Sequence, residues 1–482
     1  MKHTLDHLQH HPVPAMTRRE MLQRSGVGMG MLGLAGILGD ARLLAADAPA
    51  AGPLAPKAPH FPPRVRHVIH VFANGGPAQM DTFDPKPALD RYAGQRLPFN
   101  LQTERPTGVA LPSPFKFSHY GQSGLEVSEI FHQLASRHAD DLCVIRSMTA
   151  DAPVHENSLM LMNTGDGRLP RPSVGSWINY GLGTENQNLP GFVVLVPSGM
   201  PISGPQNWRS SFLPGAYQGV YVDTKRKDGK YLDDLKNARL DIEGQRRQLD
   251  LAQAFNRHFA EARPGDPQME ARIQNYEIAY RMQMEATDAF DLAKEPEHTR
   301  KLYGDTPHGR QMLIARRLIE RGVRYVQLWH GSGQPWDSHD NIAENHRKLG
   351  AESDQGLAAL LTDLKALGLL DETLVIWGGE FGRTPTVELS QGGIPKATAG
   401  RDHNHHGFSV WLAGGGVKGG MAYGTTDEFG FQATENRTHV HDLHATILHL
   451  LGLDHTKLTY RHAGRDYRLT DVSGNVVKAI LA

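Results

Sequence analysis

RVRHVIHVFANGG, from Arg64 to Gly76, is an apolar run that stops on a pair of glycines. Such a run reads as a buried strand entering a functional turn. Five more follow: DLCVIRSM (141–148), GFVVLVPSG (191–199), RYVQLWH (324–330), TLVIWGGEFG (373–382) and FSVWLAGGG (408–416). Helical patterns alternate with them over Ser128–Arg137, Gln311–Arg321, Asp354–Leu367 and His441–Leu451. Apolar strands alternating with amphipathic helices predict a three-layer α/β domain, its mostly parallel central sheet covered on both faces. That domain is expected over 65–482, with a charged stretch rich in Gln, Glu, Arg and Ala at about 225–304 read as a helical insertion broken at ARPGDP (262–267).

What precedes the domain has a different character. MTRREMLQRSGVGMGMLGLAGILGDARLLAA, residues 16–46, places Arg18 and Arg19 before a weakly apolar, glycine-rich stretch and ends on small residues at Ala45 and Ala46. The low hydrophobicity suits twin-arginine export, so residues 1–46 read as a signal peptide handed to the twin-arginine translocase. The expected location is the periplasm or the cell exterior. The apolar stretch is too short for a spanning helix, so the mature chain is expected to carry no transmembrane segment. Residues 47–64, rich in Ala and Pro, read as a linker that does not pack.

Composition narrows the function. Lys plus Arg is 51 and Asp plus Glu 52, for a formal net charge of -1. With no basic run and no aromatic interleaving, nucleic acid is not an expected partner. Cys143 is the single cysteine, which excludes an intrachain disulfide and any cysteine-based zinc cage. It lies in an apolar strand and reads as a buried thiol. The 26 histidines are a high count, and outside the leader they gather in a few short motifs.

Those motifs fall at strand ends, where open α/β sheets bind ligands. WDSHDN (336–341) offers Asp337 and His339, a hard oxygen and an imidazole two residues apart, a pairing suited to zinc or manganese or simply a polar surface turn. GRDHNHHGF (400–408) brings His403, His405 and His406 together beside Asp402. GGEFGRTP (378–385) puts Glu380 and Arg383 at the end of a buried strand, as site groups or as a structural ion pair.

GGPAQMDTFDPKP, VIRSM, WDSH, WGGEFGRTP, GRDHNHHGFSVWLAGGGVKGG and HDLHATILHLLGLDHTKL together resemble the uncharacterised bacterial domain-of-unknown-function family 1501. That family looks like a branch of the alkaline phosphatase and sulfatase superfamily, which implies that fold. The resemblance sets His155 at the nucleophile position, ten residues before the glycine of Thr164-Gly165. It sets Glu380 and Phe381 where relatives carry Asp-His, Ala73-Asn74 where they carry metal-binding aspartate, and Asp442 and Thr446 on a matching late helix. His155 is thereby a nucleophile, a metal ligand or a transition-state acid, expected neutral because it starts a helix. Asp81 or Asp84 could supply the carboxylate that Asn74 lacks.

The first functional expectation is an exported metal-dependent hydrolase acting on a small-molecule or glycan ester of phosphate or sulfate. Asp337, His339 and His403 would hold one divalent ion (zinc, manganese or calcium), with Glu380 and Asp81 approaching a second position. Arg383 and Arg146 would hold the anionic group. The alternative is a non-catalytic relative that binds a glycan, an anion or a protein partner in the periplasm.

Overall fold

The computed structural model describes residues 53–482 apart from 226–230, 232–239, 262–275, 278–279 and 282–287. The expected leader and the ARPGDP break therefore lie outside the described residues.

The strands that matter for the site are β1 (His67–Phe72), β2 (Leu142–Thr149), β3 (Phe192–Val196), β4 (Val220–Asp223), β5 (Tyr325–Trp329), β6 (Thr373–Gly378), β7 (Gly382–Ser390), β8 (Arg401–Asn404), β9 (Phe408–Gly414), β10 (Met421–Tyr423) and β11 (Thr438–His439). All but β7 and β8 form one sheet in the order β10-β2-β9-β6-β1-β5-β3-β4, with β11 beside β2. From β6 to β4 every pairing is parallel. β9 runs antiparallel to both β6 and β2, which leaves β2 aligned with the parallel set. The six strands expected from apolar runs are all present, and the sheet is mostly parallel as expected.

Successive residues of a strand face opposite ways. Ile69, Val71, Val326 and Val375 pack on one face of the sheet, and Val68, Phe72, Leu374 and Ile376 on the other. Five helices cover these faces: α1 (His155–Thr164), α2 (Val174–Leu182), α3 (Pro307–Glu320), α4 (Ile342–Ala366) and α5 (Val440–Leu450). Met312 of α3 and Leu357 and Leu361 of α4 join the first face. Leu159 of α1, Trp177 of α2 and Leu443 of α5 join the second. Each such buried side chain contributes about 1.5–3 kcal/mol relative to exposure, so the two-sided sheet is what the apolar runs stabilise. Cys143 lies buried within β2, and burial pushes its thiol up to about 12.

Three expectations need correction or extension. The helix expected at Asp354 begins at Ile342, because His346, Gly350 and Ser353 on its buried side hide the apolar period. The segment expected at Ser128–Arg137 divides into a short 3-10 turn, Glu129–Phe131, and a helix, His132–His138. The Ala- and Pro-rich linker, from Pro53 onward, lies against the domain instead of standing clear of it. Leu54 is buried and its carbonyl accepts from Thr184 N at 2.9 Å, while Lys57 Nζ donates to Tyr180 O at 2.7 Å. Within the insertion, Ile242–Glu261 and Glu297–Tyr303 are helical. Among the described residues no helix is long and apolar enough to cross a membrane.

Candidate metal centre

The carboxyl ends of β1, β2, β5 and β6 meet at one edge of the sheet, and their continuations carry the polar residues. Asn74, just past β1, clasps the loop that follows β5: its Nδ2 donates to Gly331 O (3.2 Å) and Gly333 O (2.7 Å), and its Oδ1 accepts from His330 N (3.1 Å). Trp336 N adds a bond to Asn74 O at 3.1 Å. The clasp draws the Asp337 backbone so near Gly75 that a Cβ at Gly75, where φ is +112°, would lie 2.5 Å from Asp337 N. Only glycine fits that turn. His155 is the first residue of α1, entered through an extended Val154 and closed at Gly165. β7 and β8 form a small antiparallel sheet with register Arg383↔His403, which brings His403 to the same place.

There His155, Asp337, His339 and His403 present four ligand atoms that all lie within 4.8 Å of one another. Each imidazole turns Nε2 toward Asp337: His155 at 3.3 Å from Oδ2, His339 at 2.9 Å and His403 at 3.2 Å from Oδ1. Each turns Nδ1 toward its own carboxylate: His155 toward Glu380 Oε1 at 2.7 Å, His403 toward Glu104 Oε2 at 2.6 Å, and His339 toward Glu388 Oε2. An ionised carboxylate can only accept, so each Nδ1 carries a proton, and each Nε2 could offer a lone pair to a cation bound beside Asp337. Three Nε2 atoms thus converge on an anionic oxygen pair. The buried Nε2 atoms of His155 and His339 are near Asp337 but off the hydrogen-bond axis and have no bonded partner. Only a shared positive charge makes the arrangement favourable.

The proton affinities agree. Burial pushes His155 down, but the Asp337 and Glu380 carboxylates outweigh it and hold the imidazole above its usual value. His339 behaves likewise, burial being outweighed by Asp337 and Glu388. The helix start is expected to keep His155 neutral, whereas its two carboxylates act the other way and raise its proton affinity. His403, held down to about 3 chiefly by burial, stays neutral. Burial alone would raise Asp337, yet the three imidazoles and Arg383 hold it far below the usual carboxylate range.

The donor set fits a divalent transition ion. Three neutral imidazoles and a carboxylate, each imidazole braced at Nδ1 by a carboxylate, are the arrangement that raises ligand basicity and fixes ring orientation. Calcium, which takes roughly six to eight oxygen ligands, does not suit a site with three nitrogens.

Other expected residues lie nearby in other roles. Glu380 is fully buried and holds His155 on one side and Gly75 N (3.0 and 3.1 Å) on the other, so it braces a ligand. Asp81 does not join the cluster: both its oxygens are engaged by Arg401, at 2.9 and 3.0 Å, with both side chains fully buried. Asp84 pairs with Lys86 at 3.0 Å and accepts from Thr426. Arg383 is fully buried, bonded to Asp337 Oδ1 (2.6 Å), Gly76 O (2.9 Å) and Gly75 O, so it props the centre and has no free edge for a substrate anion. Arg146 Nε donates to Phe83 O at 2.8 Å, away from the ligands. Phe381 walls the centre, its ring 4.7 Å from the rings of both His155 and His403. Asp442 caps α5 by accepting from His439 N at 2.8 Å.

Sequence reasoning missed two of the three braces, Glu388 and Glu104. Glu388 is the only acid in β7, GRTPTVELS, and an acid in a buried strand was a readable signal. Glu104 sits in an irregular segment with no local signature.

No curated protein matches the chain significantly. Solved structures similar to it include a protein in the alkaline phosphatase superfamily from Vibrio parahaemolyticus (11% identity, 85% of this chain and 72% of that chain, TM-score 0.33). Another is the alkaline phosphatase of the Antarctic bacterium TAB5 (11%, 74% and 92%, TM-score 0.27). A third is the C-terminal periplasmic domain of EcEptC from Escherichia coli in complex with zinc (9%, 82% and 86%, TM-score 0.33). These likenesses are too distant to carry a function. A family model described as "Protein of unknown function (DUF1501)" matches residues 65–481, nearly the whole described chain, and the protein belongs to that family.

Proposed function

We propose that the protein is an exported, metal-dependent hydrolase of phosphate or sulfate esters, with a small molecule or glycan as the alcohol part. The observation that carries the reading is the convergence of His155, His339 and His403 Nε2 on Asp337, each ring braced from behind. A divalent ion, zinc or manganese, bound by these four residues would polarise an ester oxygen and offset charge in the transition state. His155 starts α1 at the position that the family resemblance sets for the nucleophile; Glu380 accepts from its Nδ1, and its Nε2 would act either as a metal ligand or as the nucleophile. The proposed export, to the periplasm or outside the cell, is supported by Arg18 and Arg19 and the glycine-rich stretch after them.

A non-catalytic role, binding a glycan, an anion or a protein partner, is favoured by two observations: four protein ligands lie close enough to fill a four-coordinate structural site, and Arg383 is closed off from any substrate. The test is turnover of 4-nitrophenyl phosphate and 4-nitrophenyl sulfate by zinc- and manganese-loaded protein. Metal-dependent turnover that disappears in His155→Ala and in His155→Gln supports the hydrolase. Metal binding without turnover on either ester class supports the binding role.

A further inference from the structure

Residues 101–105 form neither helix nor strand, yet they are fastened onto the metal centre. Glu104 Oε2 meets His403 Nδ1 at 2.6 Å, Arg105 N donates to Asp402 Oδ2 at 2.7 Å, and Arg105 Nη1 donates to Glu388 Oε1 at 3.3 Å. All three partner residues belong to the centre: a ligand, the residue preceding that ligand, and the brace of a second ligand. The fastening is polar and faces water, since the Glu104 side chain is 30% exposed and that of Arg105 43%. A segment held by a few solvent-facing bonds opens at low free-energy cost compared with the core.

We propose that residues 101–105 are a strap whose closure is coupled to metal occupancy, with Glu104 as the positioning residue that carries the coupling. The inference rests on the metal-centre reading above. When the strap closes, Glu104 comes to lie beside Asp402, and ligand atoms of Glu104, Asp402 and His403 fall within 4.8 Å of one another. Asp402 is fully buried and its Oδ1 has no bonded partner, so closure sets one carboxylate against another in a poorly solvated place. A neutral His403 offers Glu104 only an ordinary N–H donor. With a cation on Nε2, the ring becomes electron-poor and Nδ1–H a stronger donor, so its bond to the Glu104 carboxylate strengthens. The same positive charge relieves the repulsion between Glu104 and Asp402. Metal therefore favours the closed strap, and by linkage the closed strap raises metal affinity by the same factor.

The experiment is hydrogen exchange on the full mature chain, after chelator treatment and again with one equivalent of zinc, reading the peptide that contains the Arg105 amide. Zinc is expected to slow exchange over 101–105 by about tenfold or more, and Glu104→Gln, which keeps an acceptor and loses the charge, should remove most of that slowing and weaken zinc binding by about tenfold. Zinc binding by the wild-type chain with unchanged exchange at 101–105 overturns the strap alone and leaves the metal centre standing. Wild-type zinc affinity in Glu104→Gln likewise removes Glu104 from its role. Absence of zinc binding by the wild-type chain overturns the metal centre and the strap together.

Discussion

His155 donates its Nδ1 proton to Glu380 Oε1 across 2.7 Å, and the same carboxylate accepts the backbone N–H of Gly75. One glutamate thus joins the start of α1, the end of β6 and the turn after β1. It orients the imidazole and stands outside the group of four ligand atoms. Glu380→Gln keeps an acceptor and loses the charge, so zinc affinity should fall by about 10–100-fold with the fold intact. Calorimetric titration with zinc measures it. Complete loss of binding would instead make Glu380 a direct ligand, and unchanged binding would remove its bracing role.

Asp81 and Arg401 make the opposite case. Both side chains are fully buried and meet through two hydrogen bonds. Removing one partner strands the other charge in the interior, a loss of about 3–5 kcal/mol. Asp81→Asn should lower the urea midpoint strongly while the folded fraction keeps its full metal content. Loss of metal from a protein of unchanged stability would return Asp81 to the ligand set.

What the sequence shows and what it hides divide along a physical line. Strands such as His67–Phe72 and Thr373–Gly378 were legible because burial on both faces demands uninterrupted apolar residues. Asp337, His339 and His403 were legible as donor types at strand ends, and His155 through family resemblance, and the structure brings all four together. The partners of buried charges were not legible. Asp81 and Arg401 are 320 residues apart, and no local pattern reports that one neutralises the other. Arg383 looked available for a substrate anion because the carbonyls of Gly75 and Gly76 that take up its donors come from the other end of the chain.

Acid should destabilise the fold through histidines remote from the ligand set. Burial pushes His70 down to about 3, and burial with the neighbouring His441 pushes His444 down to about 3. Both are neutral when folded and take up a proton on unfolding once the pH falls below the ordinary imidazole value of 6.5. Their folded values are depressed, so the stability they support is whole above pH 6.5 and is lost progressively as pH falls toward 3. Each adds a slope of about 1.4 kcal/mol per pH unit within that window. Urea unfolding at a series of acidic pH values should show midpoints falling together with pH. A flat profile across the window would contradict the buried neutral state.

Export can be examined independently of the site. Replacing Arg18 and Arg19 together with Lys keeps the charge but removes the pair that the twin-arginine translocase reads. The precursor should accumulate in the cytoplasm and periplasmic yield should fall. Fractionation followed by immunoblotting decides it, and unchanged periplasmic yield would reject the twin-arginine route.

The metal centre is tested most directly by elemental analysis of the protein purified without chelators, alongside Asp337→Asn. Asp337 is the oxygen donor on which all three imidazoles converge. The expected result is about one equivalent of zinc or manganese per wild-type chain and a large loss in the variant, because a neutral amide neither binds a divalent ion strongly nor balances its charge. A wild-type chain that carries no transition metal and takes up none from excess zinc would contradict the centre.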